Sequence, residues 1–434
     1  MRARPFVTSV AFLSLLVVAV AVRVAWVHHT QGTPLTIDAA DYDRHARSIA
    51  DGHGFPPSQL ASGPSAYRPP GYPVFLAAVY KISGGGWPTA RYVECLVGTL
   101  TVALVGLLAA AFWDRRLALI ATAIAAIFPP MINISTAVLS EAIFVPLVLG
   151  ATLVVLHGRA ATNRARWVVL AGVLVGLAWL ARGNGFLLLL PFAAALWRRR
   201  QGWRGAAMPA MLVAMTLLTI APWTIRNAIV MHAFVPVTNE SGLTLAGTYN
   251  PTAAHYRYRA TWLPPTADPQ LFKLVAQKLD PHYHGPRYTE MQVASRMDSE
   301  AKSYITHHPL YVVTVAVANA RRWLRLTGDP RGIVDAEEPP LAVPLRDYTV
   351  WVLLLLGIAG LFHPARRKVP FFVWAVPLLM ATTIFVSGWL RMRAPVDPFL
   401  VLLAALGVSW AFETSVAAVR SRAGLVTARR PAGA

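Results

Sequence analysis

The chain has 434 residues, of which 56% are hydrophobic and only 14% are charged, whereas soluble domains carry roughly a quarter charged residues. This composition excludes an ordinary soluble globular protein. The 40 Lys and Arg residues outweigh the 20 Asp and Glu residues, and the net charge is +20. Because the basic residues cluster at the ends of apolar runs, they indicate cytoplasmic membrane edges and argue against nucleic-acid binding. The single cysteine, Cys95, excludes an intrachain disulfide and a thiolate metal cluster.

Long uncharged runs predict an all-α polytopic membrane protein with about ten transmembrane helices. The first run, residues 6–27, follows a short basic start. We interpret it as an uncleaved anchor with a cytoplasmic N-terminus, because it is long and further spans follow. The later runs cover residues 92–113, 117–133, 139–156, 167–180, 186–197, 206–222, 348–362, 369–389 and 395–412. With the basic clusters inside, the C-terminus is cytoplasmic as well.

Two polar stretches are external in this topology, residues 28–90 and residues 226–308. We therefore describe residues 1–434 as a single membrane domain. It carries a first extracytoplasmic loop with juxtamembrane helices and a second, larger extracytoplasmic loop. The external loops are the predicted working surfaces of the protein.

Two further patterns concern the helices themselves. Residues 309–326 are apolar enough to span, but spanning would place the basic cluster at residues 366–368 outside the cell. We therefore interpret this stretch as an interfacial helix. The spacing of Gly172 and Gly176 predicts close helix packing rather than a site.

The first external loop contains a candidate catalytic helix. Its sequence predicts a short helix with Asp38 at the N-cap and Gly52 near the C-terminus. The residues that then share one face are Asp38, Asp41, Tyr42 and His45. Asp38 either only caps the helix or acts as a general base toward a substrate hydroxyl, with apolar walls that raise its basicity.

A turn rich in proline follows this helix, with the sequence Tyr67-Arg68-Pro69-Pro70-Gly71-Tyr72-Pro73. It predicts a rigid turn before a second helix that lies along the membrane surface. Arg68 can hold a phosphate there, or it can contact lipid headgroups. Other charged residues at external membrane edges are functional candidates, and they are Arg23, Arg182, Arg226, Arg391, Arg393 and Glu141. For Glu141, a structural ion pair is an equal alternative.

Histidine pairs are the remaining candidates for metal binding. His282 and His284 lie close together in the large loop, and His307 and His308 are adjacent. Neighbouring imidazoles without Cys or well-spaced Glu are weak evidence for a metal site. We assign no metal and no cofactor, and leave the assistance of a divalent cation open.

Six short motifs occur in a fixed order along the chain. They are Asp38-x-x-x-Tyr42, the turn from Arg68 to Pro73, Leu139-Ser-Glu141, Leu180-Ala-Arg182, Pro222-Trp-Thr-Ile-Arg226-Asn227 and Arg391-Met-Arg-Ala-Pro395-Val-Asp-Pro-Phe399. Together they resemble the GT-C membrane glycosyltransferases. The resemblance is to glycosyltransferase family 39, which includes bacterial protein mannosyltransferases and lipid A aminoarabinose transferases, and it covers most of the chain.

The resemblance implies a hexosyl- or pentosyltransferase of GT-C fold. Such an enzyme moves a sugar from a polyprenyl-phosphate carrier to an acceptor hydroxyl on the external face, with inversion at the anomeric carbon. The implied partners are this lipid-linked donor, membrane lipids and an acceptor glycan, lipid or protein. Because the chain ends soon after its last apolar run, the acceptor of the lipid A enzymes is not carried over.

The resemblance also implies roles for individual residues. Asp38 matches the catalytic aspartate of the first loop, and Asp41 is a second choice. Arg68 matches the basic residue that contacts the donor phosphate, with help from Arg182, Arg226, Arg391 and Arg393. The expected supporting residues are Tyr42, Tyr67 and Glu141.

The main alternative is a secondary transporter or a flippase for lipid carriers. Transporters commonly show paired inverted halves with a site at the membrane midplane, whereas the candidate residues here crowd one face. A non-catalytic assembly protein is a further alternative, since membrane spans alone imply no catalysis. We expect a multi-pass protein of the plasma membrane with an extracytoplasmic site. The identity of the sugar and of the acceptor stays open.

Overall fold

The computed structural model describes residues 4–35, 37–256, 260–327 and 342–422. These residues are mainly helical, and an isolated β-bridge pairs Ser62 with Thr289. The α-helices are α1 (Arg4–Val7), α2 (Val10–His29), α3 (Ile37–Ala50), α4 (Gly71–Ser83), α5 (Trp87–Phe112), α6 (Arg115–Ile127), α7 (Pro129–Ile134), α8 (Glu141–Ala160), α9 (Arg164–Ala181), α10 (Leu189–Leu196), α11 (Ala207–Met231), α12 (Glu240–Thr248), α13 (Pro251–His255), α14 (Pro269–Leu279), α15 (Glu290–His307), α16 (Pro309–Trp323), α17 (Ala342–Gly360), α18 (Phe371–Met380) and α19 (Asp397–Arg422). Short 3₁₀ helices cover Gly183–Leu188, Arg199–Ala206, Pro265–Ala267, Pro364–Lys368, Ala381–Phe385 and Leu390–Arg393.

Apolar helices confirm the multi-span membrane architecture. Within the described ranges, six are long and apolar enough to cross a bilayer, namely Val10–His29, Trp87–Phe112, Glu141–Ala160, Arg164–Ala181, Gly202–Met231 and Asp397–Ala417. Shorter apolar helices lie at Gly183–Leu196, Asp347–Gly360 and Phe371–Phe385. The total of ten crossings stays a prediction, as does the interfacial position of α16.

The predicted run 117–133 is broken into two helices, α6 and α7. Phe128 between them is extended, with ψ of 113°. Residues before a proline are disfavoured in the α conformation because of a clash with the proline ring, and Pro129 follows Phe128 directly. The interruption therefore follows from local sequence.

Glycines allow the closest helix contacts. A Cβ on Gly172 would lie 2.6 Å from Cβ of Met215, and one on Gly176 would lie 2.5 Å from Cβ of Thr219. Such distances leave no room for a side chain, so the predicted packing role of this pair, which joins α9 to α11, is confirmed. Gly360 joins α17 to α19 in the same way, since its Cβ would overlap the Leu403 carbonyl at 1.9 Å.

Buried apolar side chains form separate clusters that explain how the site is held. The largest cluster lies among the membrane helices. A second joins α3 and α4 to the start of α8 through Tyr42, Tyr72, Leu139 and Ala142. A third lies among α12, α14, α15 and α16. Because apolar burial stabilises by about 25 cal/mol per Å², the second cluster fixes the first-loop helices against the membrane bundle.

Candidate active site

A cavity of about 480 Å³ is lined by residues of α3, the Arg68 turn, the end of α9, α12 and the segment before α19. We call it the main cavity. Its charged lining residues are Asp38, Arg68, Arg182, Glu240 and Arg391. Its apolar wall includes Trp179, Phe186, Val237, Leu245 and Val386. A cavity with one apolar wall and convergent charges suits an amphipathic ligand with an ionic head.

Arg68 is the most enclosed of the cations in this cavity. Its side chain is only 5% exposed, and its Nη2 and Nε donate to Asp38 Oδ1 at 2.5 Å and to Asp41 Oδ2 at 2.7 Å. The rings of Tyr42 and Tyr67 lie at 4.8 and 4.9 Å from the guanidinium carbon. Such cation–π contacts strengthen when they are desolvated. The structure therefore brings together the predicted residue and its two predicted supporting tyrosines.

Asp38 bridges two arginines. One carboxylate oxygen accepts from Arg68, and the other accepts from Arg391 of the segment before α19. Burial by itself favours the neutral acid, but the adjacent Arg391 and Arg68 outweigh it and hold the pKa of Asp38 well below its usual range. Burial thus acts in the predicted direction, but the two arginines lower the net pKa, so the expected rise in the basicity of Asp38 is not found in this arrangement. Asp38 is also the second residue of α3, and not the predicted N-cap.

Asp41 lies behind Arg68 and is not among the lining residues of the main cavity. Its carboxylate contacts Arg44 at 3.0 Å and His45 Nδ1 at 3.3 Å in addition to Arg68. Burial opposes ionisation here, yet the bonds from His45 and Arg68 keep the pKa of Asp41 below its usual range. These contacts make Asp41 a support for Arg68 rather than a group that faces a substrate.

Arg182 and Glu141 form the ion pair that the sequence left as one alternative. Arg182 Nη1 lies 2.5 Å from Glu141 Oε1 and donates to Ser140 Oγ at 3.1 Å. Ser140 Oγ also accepts from the Tyr42 hydroxyl at 3.2 Å. Glu141 is fully buried, whereas Arg182 lines the main cavity. Arg182 is thereby tied to α8 and, through Ser140, to α3.

Three of the predicted arginines lie outside the lining of the main cavity. Arg226 donates to the Ser65 carbonyl at 2.7 Å and stacks on Trp223. Arg393 is paired with Asp397 at 2.7 Å. Arg23 is fully buried in α2. The structure therefore does not bring these three charges to the main cavity with Arg68.

Glu240 is the residue that sequence reasoning missed. It begins α12 in the second external loop, lines the main cavity and lies 3.7 Å from Arg68 Nη1. Burial raises the pKa of Glu240, although Arg68 acts in the opposite direction. The tripeptide Asn239-Glu240-Ser241 fits the pattern of a glycosylation sequon, but Asn239 is buried and donates to Glu290 at 3.0 Å. The one available signal was a lone carboxylate at a helix start in a predicted working surface.

A metal site needs several His, Cys, Asp or Glu side chains close together. Among the described residues, no three His, Cys, Asp or Glu side chains are placed to share a metal ion. Asp38, the acidic residue nearest the centre of the site, has both carboxylate oxygens engaged by guanidinium groups.

Comparisons with known proteins agree with this architecture. Residues 67–225 match the profile of the dolichyl-phosphate-mannose-protein mannosyltransferase family. The chain superposes on the archaeal oligosaccharyltransferase AglB from Archaeoglobus fulgidus in complex with an inhibitory peptide and a dolichol-phosphate. The TM-score is 0.54 at 15% identity over 98% of this chain and 53% of that chain. This chain has the GT-C fold.

Two further structures extend the comparison. The Archaeoglobus fulgidus oligosaccharyltransferase tethered with an acceptor peptide gives a TM-score of 0.54 at 14% identity over 99% of this chain and 53% of that chain. ArnT from Cupriavidus metallidurans bound to undecaprenyl phosphate gives 0.41 at 15% identity over 90% of this chain and 77% of that chain. No significant match was found among curated protein sequences. The chain spans about half the length of the archaeal enzymes it matches, and the predicted resemblance to GT-C glycosyltransferases is confirmed.

Proposed function

We propose that this GT-C protein transfers a sugar from a polyprenyl-phosphate donor to an acceptor hydroxyl, with inversion, on the extracytoplasmic face of the plasma membrane. The observation that carries the proposal is the carboxylate of Asp38 held between Arg68 and Arg391 at the wall of an amphipathic cavity. The structurally similar AglB is known in complex with a dolichol-phosphate, which supports a lipid phosphate as the head group of the donor.

The donor phosphate would bind among Arg68, Arg182 and Arg391, which all line the main cavity. Guanidinium groups bind phosphate oxygens in bidentate geometry and with charge-assisted hydrogen bonds. The prenyl chain would lie along the apolar wall that includes Trp179 and Phe186. Arg226 and Arg393, which do not line the cavity, are left out of this proposed cradle.

Asp38 would act as the general base after the donor has bound. The two arginines keep its pKa low, and a strongly paired carboxylate is a weak base. A bound phosphate anion would share those guanidinium groups, so the pKa of Asp38 would rise toward its ordinary value. Donor binding would thereby prepare the base that the acceptor needs.

The transfer would then be a single displacement. The acceptor oxygen forms a bond to the anomeric carbon while the bond from that carbon to the phosphate oxygen breaks. The acceptor proton passes to Asp38, and the electron pair of the broken bond stays on the lipid phosphate. Arg68, Arg182 and Arg391 would stabilise this charge in a site with little water, where such contacts are strongest. One displacement inverts the configuration of the sugar.

The test measures release of free polyprenyl phosphate from a panel of synthetic polyprenyl-phosphate sugars. Purified full-length protein in detergent would be supplied with mixed cell-envelope acceptors. Asp38→Asn should reduce release by about 10²- to 10⁴-fold while donor binding is kept. Asp43→Asn is the matched control, because Asp43 lies on the same helix and pairs with Arg47 at 2.7 Å instead of lining the cavity.

Two outcomes would contradict the proposal. Equal release by wild type and Asp38→Asn would show that another group accepts the proton. Binding of every lipid donor without turnover by the wild type would favour the alternative of a carrier flippase or transporter.

A further inference from the structure

A second cavity, of about 170 Å³, lies in the second external loop. We call it the second cavity. It is formed at the end of α12, the start of α14 and the C-terminal half of α15. The lining residues used below are Tyr249, Asp268, Gln270, Glu300, Ser303 and Tyr304. His307 and His308 also line it. In the sequence they were only weak evidence for a metal site.

Aromatic rings give this cavity a fixed wall. Tyr304 packs against His308 with ring centres 4.5 Å apart and against Tyr311 at 5.6 Å. Tyr249 packs edge-on against Tyr311 at 5.9 Å, and its hydroxyl donates to the Phe385 carbonyl at 2.6 Å. Because these rings hold one another, the aromatic surface exists before any ligand arrives.

Polar groups complete the lining, and one of them, Asp268, is held by several hydrogen bonds. Asp268 is buried, accepts from the backbone N–H groups of Gln270 and Leu271 at 2.9 and 3.0 Å, and accepts from Thr252 Oγ at 2.7 Å. The exposed side chains of Gln270, Glu300 and Ser303 stand at the rim. Amide, carboxylate and hydroxyl groups together accept from and donate to the hydroxyl groups of a ligand.

The charge of the lining residues distinguishes the second cavity from the main cavity. Its described lining residues include two carboxylates, Asp268 and Glu300, but no Lys or Arg, whereas the main cavity has three arginines. A phosphate or another anion is therefore disfavoured. The volume corresponds to about five or six water molecules at ~30 Å³ each, which is room for one sugar ring rather than for a stretch of polypeptide.

One helix connects the two cavities. Thr244 and Leu245 of α12 line the main cavity, and Tyr249 lines the second. At 1.5 Å per residue, the rise from Thr244 to Tyr249 is about 7 or 8 Å. Thr248 Oγ donates to the carbonyl of Val386, a residue that also lines the main cavity. A ligand in the second cavity thus lies within a few sugar units of Asp38.

We propose that the second cavity binds a sugar unit of the acceptor, which makes the acceptor a neutral glycan whose reactive hydroxyl extends into the main cavity. The inference rests on the proposed function. The ring of the bound unit would lie against Tyr304, and its hydroxyl groups would bond to Glu300, Gln270 and Ser303.

The experiment compares a short oligosaccharide acceptor with a methyl monosaccharide that is too small to occupy both cavities. Glu300→Gln and Gln270→Ala are exposed substitutions, so the fold should tolerate them. Each should raise KM for the oligosaccharide about three- to tenfold, which corresponds to the loss of one or two hydrogen bonds. The kcat, the donor Kd and turnover of the methyl monosaccharide should be unchanged. Asp298→Asn is the control, because Asp298 lies on the same helix and pairs with Lys302 at 2.5 Å.

A second measurement separates failure of this proposal from failure of the transferase. Saturation-transfer NMR on the full chain detects oligosaccharide binding without turnover, and Glu300→Gln should weaken it even if no donor reacts. An unchanged KM and an unchanged NMR signal in both variants would overturn the glycan site. A rise in the KM for peptide acceptors in the same variants would also overturn the glycan site, because the cavity would then bind polypeptide.

Discussion

Arg391 donates a hydrogen bond to Asp38 although 353 residues separate the two in sequence. The contact joins the first external loop to the segment that precedes the last span. Since Arg68 bonds to the other oxygen of the same carboxylate, the charged site exists only when both ends of the chain are folded together. The same two arginines are the ones that a donor phosphate would need.

Arg391→Ala is therefore expected to weaken binding of a lipid phosphate. Charged hydrogen bonds contribute about 1.5–3 kcal/mol, so Kd for polyprenyl phosphate should rise about 10- to 100-fold. Arg226→Ala should leave this Kd unchanged, because Arg226 binds the Ser65 carbonyl and stacks on Trp223. The expected effect of Arg226→Ala is a lower melting temperature of the protein. Titration of both variants with the lipid decides the matter, and equal weakening would restore Arg226 to the phosphate site.

The ion pairs of Asp38 lead to a prediction of how the stability of the fold depends on pH. Its pKa is held below the unfolded value of about 3.9, so its ion pairs contribute their full stability above that value. The contribution is lost only as pH falls further, toward the lowered pKa. Thermal unfolding of wild type and Asp38→Asn should thus differ by a constant amount from pH 5 to pH 8. The difference should shrink below about pH 4, and a difference already lost at pH 5 would contradict the paired state.

Much of the site was predictable because charged residues at membrane edges are rare and are usually paired or functional. Asp38, Arg68, Arg182 and Arg391 were all predicted on that ground, and the structure brings them to one cavity. Arg226 satisfied the same rule, yet its partner is a backbone carbonyl. Sequence alone cannot separate these cases, since the difference depends on which distant element each guanidinium meets.

The fold shows the same division between local and distant information. Apolar runs predicted the multi-span helical architecture, and the small residues Gly172 and Gly176 predicted close packing. Glu240 was missed because its role arises from a contact with Arg68 across two separate loops. The break in the run 117–133 was missed because a hydropathy average does not register the single Phe128-Pro129 step that causes it.

Glu240 is expected to tune donor affinity with pH. When ionised it opposes part of the charge on Arg68, and burial raises its pKa, so it protonates at a higher pH than an exposed Glu. Donor binding should therefore tighten as the pH is lowered. The Glu240→Gln variant should bind the donor about two- to fivefold more tightly at pH 7, which corresponds to the energy of a partly exposed charge pair. Its donor affinity should depend little on pH.

The probe for this measurement is a non-reactive glycosyl phosphodiester. A free lipid phosphate would itself titrate, because a phosphate monoester has a second pKa of about 6. Ser241→Ala, a neighbouring lining position, is the control and should keep the wild-type pH dependence. Weaker donor binding by Glu240→Gln would instead mean that Glu240 contacts the donor sugar directly.

Glu141→Gln tests whether the ion pair with Arg182 is structural. Glu141 is fully buried and Arg182 retains 16% exposure. Removing one partner of a buried pair costs about 3–5 kcal/mol, and the partial exposure of Arg182 favours the low end of that range. Melting temperature should fall, and the double variant with Arg182→Gln should recover part of the loss because no lone charge remains. Additive losses in the double variant would show that the two residues act independently.

Gly71→Ala is expected to impair the site without touching a charged residue. Gly71 opens α4 directly after the Arg68 turn, and an added Cβ would lie 2.8 Å from the backbone carbonyl of Leu180 and 2.9 Å from the amide of Ala181. Backbone atoms cannot rotate away, so α4 must shift relative to α9, at a cost of about 1–3 kcal/mol for overpacking. The shift would separate Arg68 from Arg182, which follows Ala181. Turnover and lipid-phosphate affinity should both fall in the folded variant.

The matched control for this substitution is Gly150→Ala, within the membrane helix α8. Its nearest neighbour would be Leu174 Cδ1 at 3.9 Å, an ordinary van der Waals distance, and alanine has the higher helix propensity. Gly150→Ala should therefore keep wild-type turnover and melting temperature. If Gly71→Ala behaved in the same way, the spacing between Arg68 and Arg182 would not matter for phosphate binding. The shared phosphate cradle would then reduce to Arg68 and Arg391, which both contact Asp38.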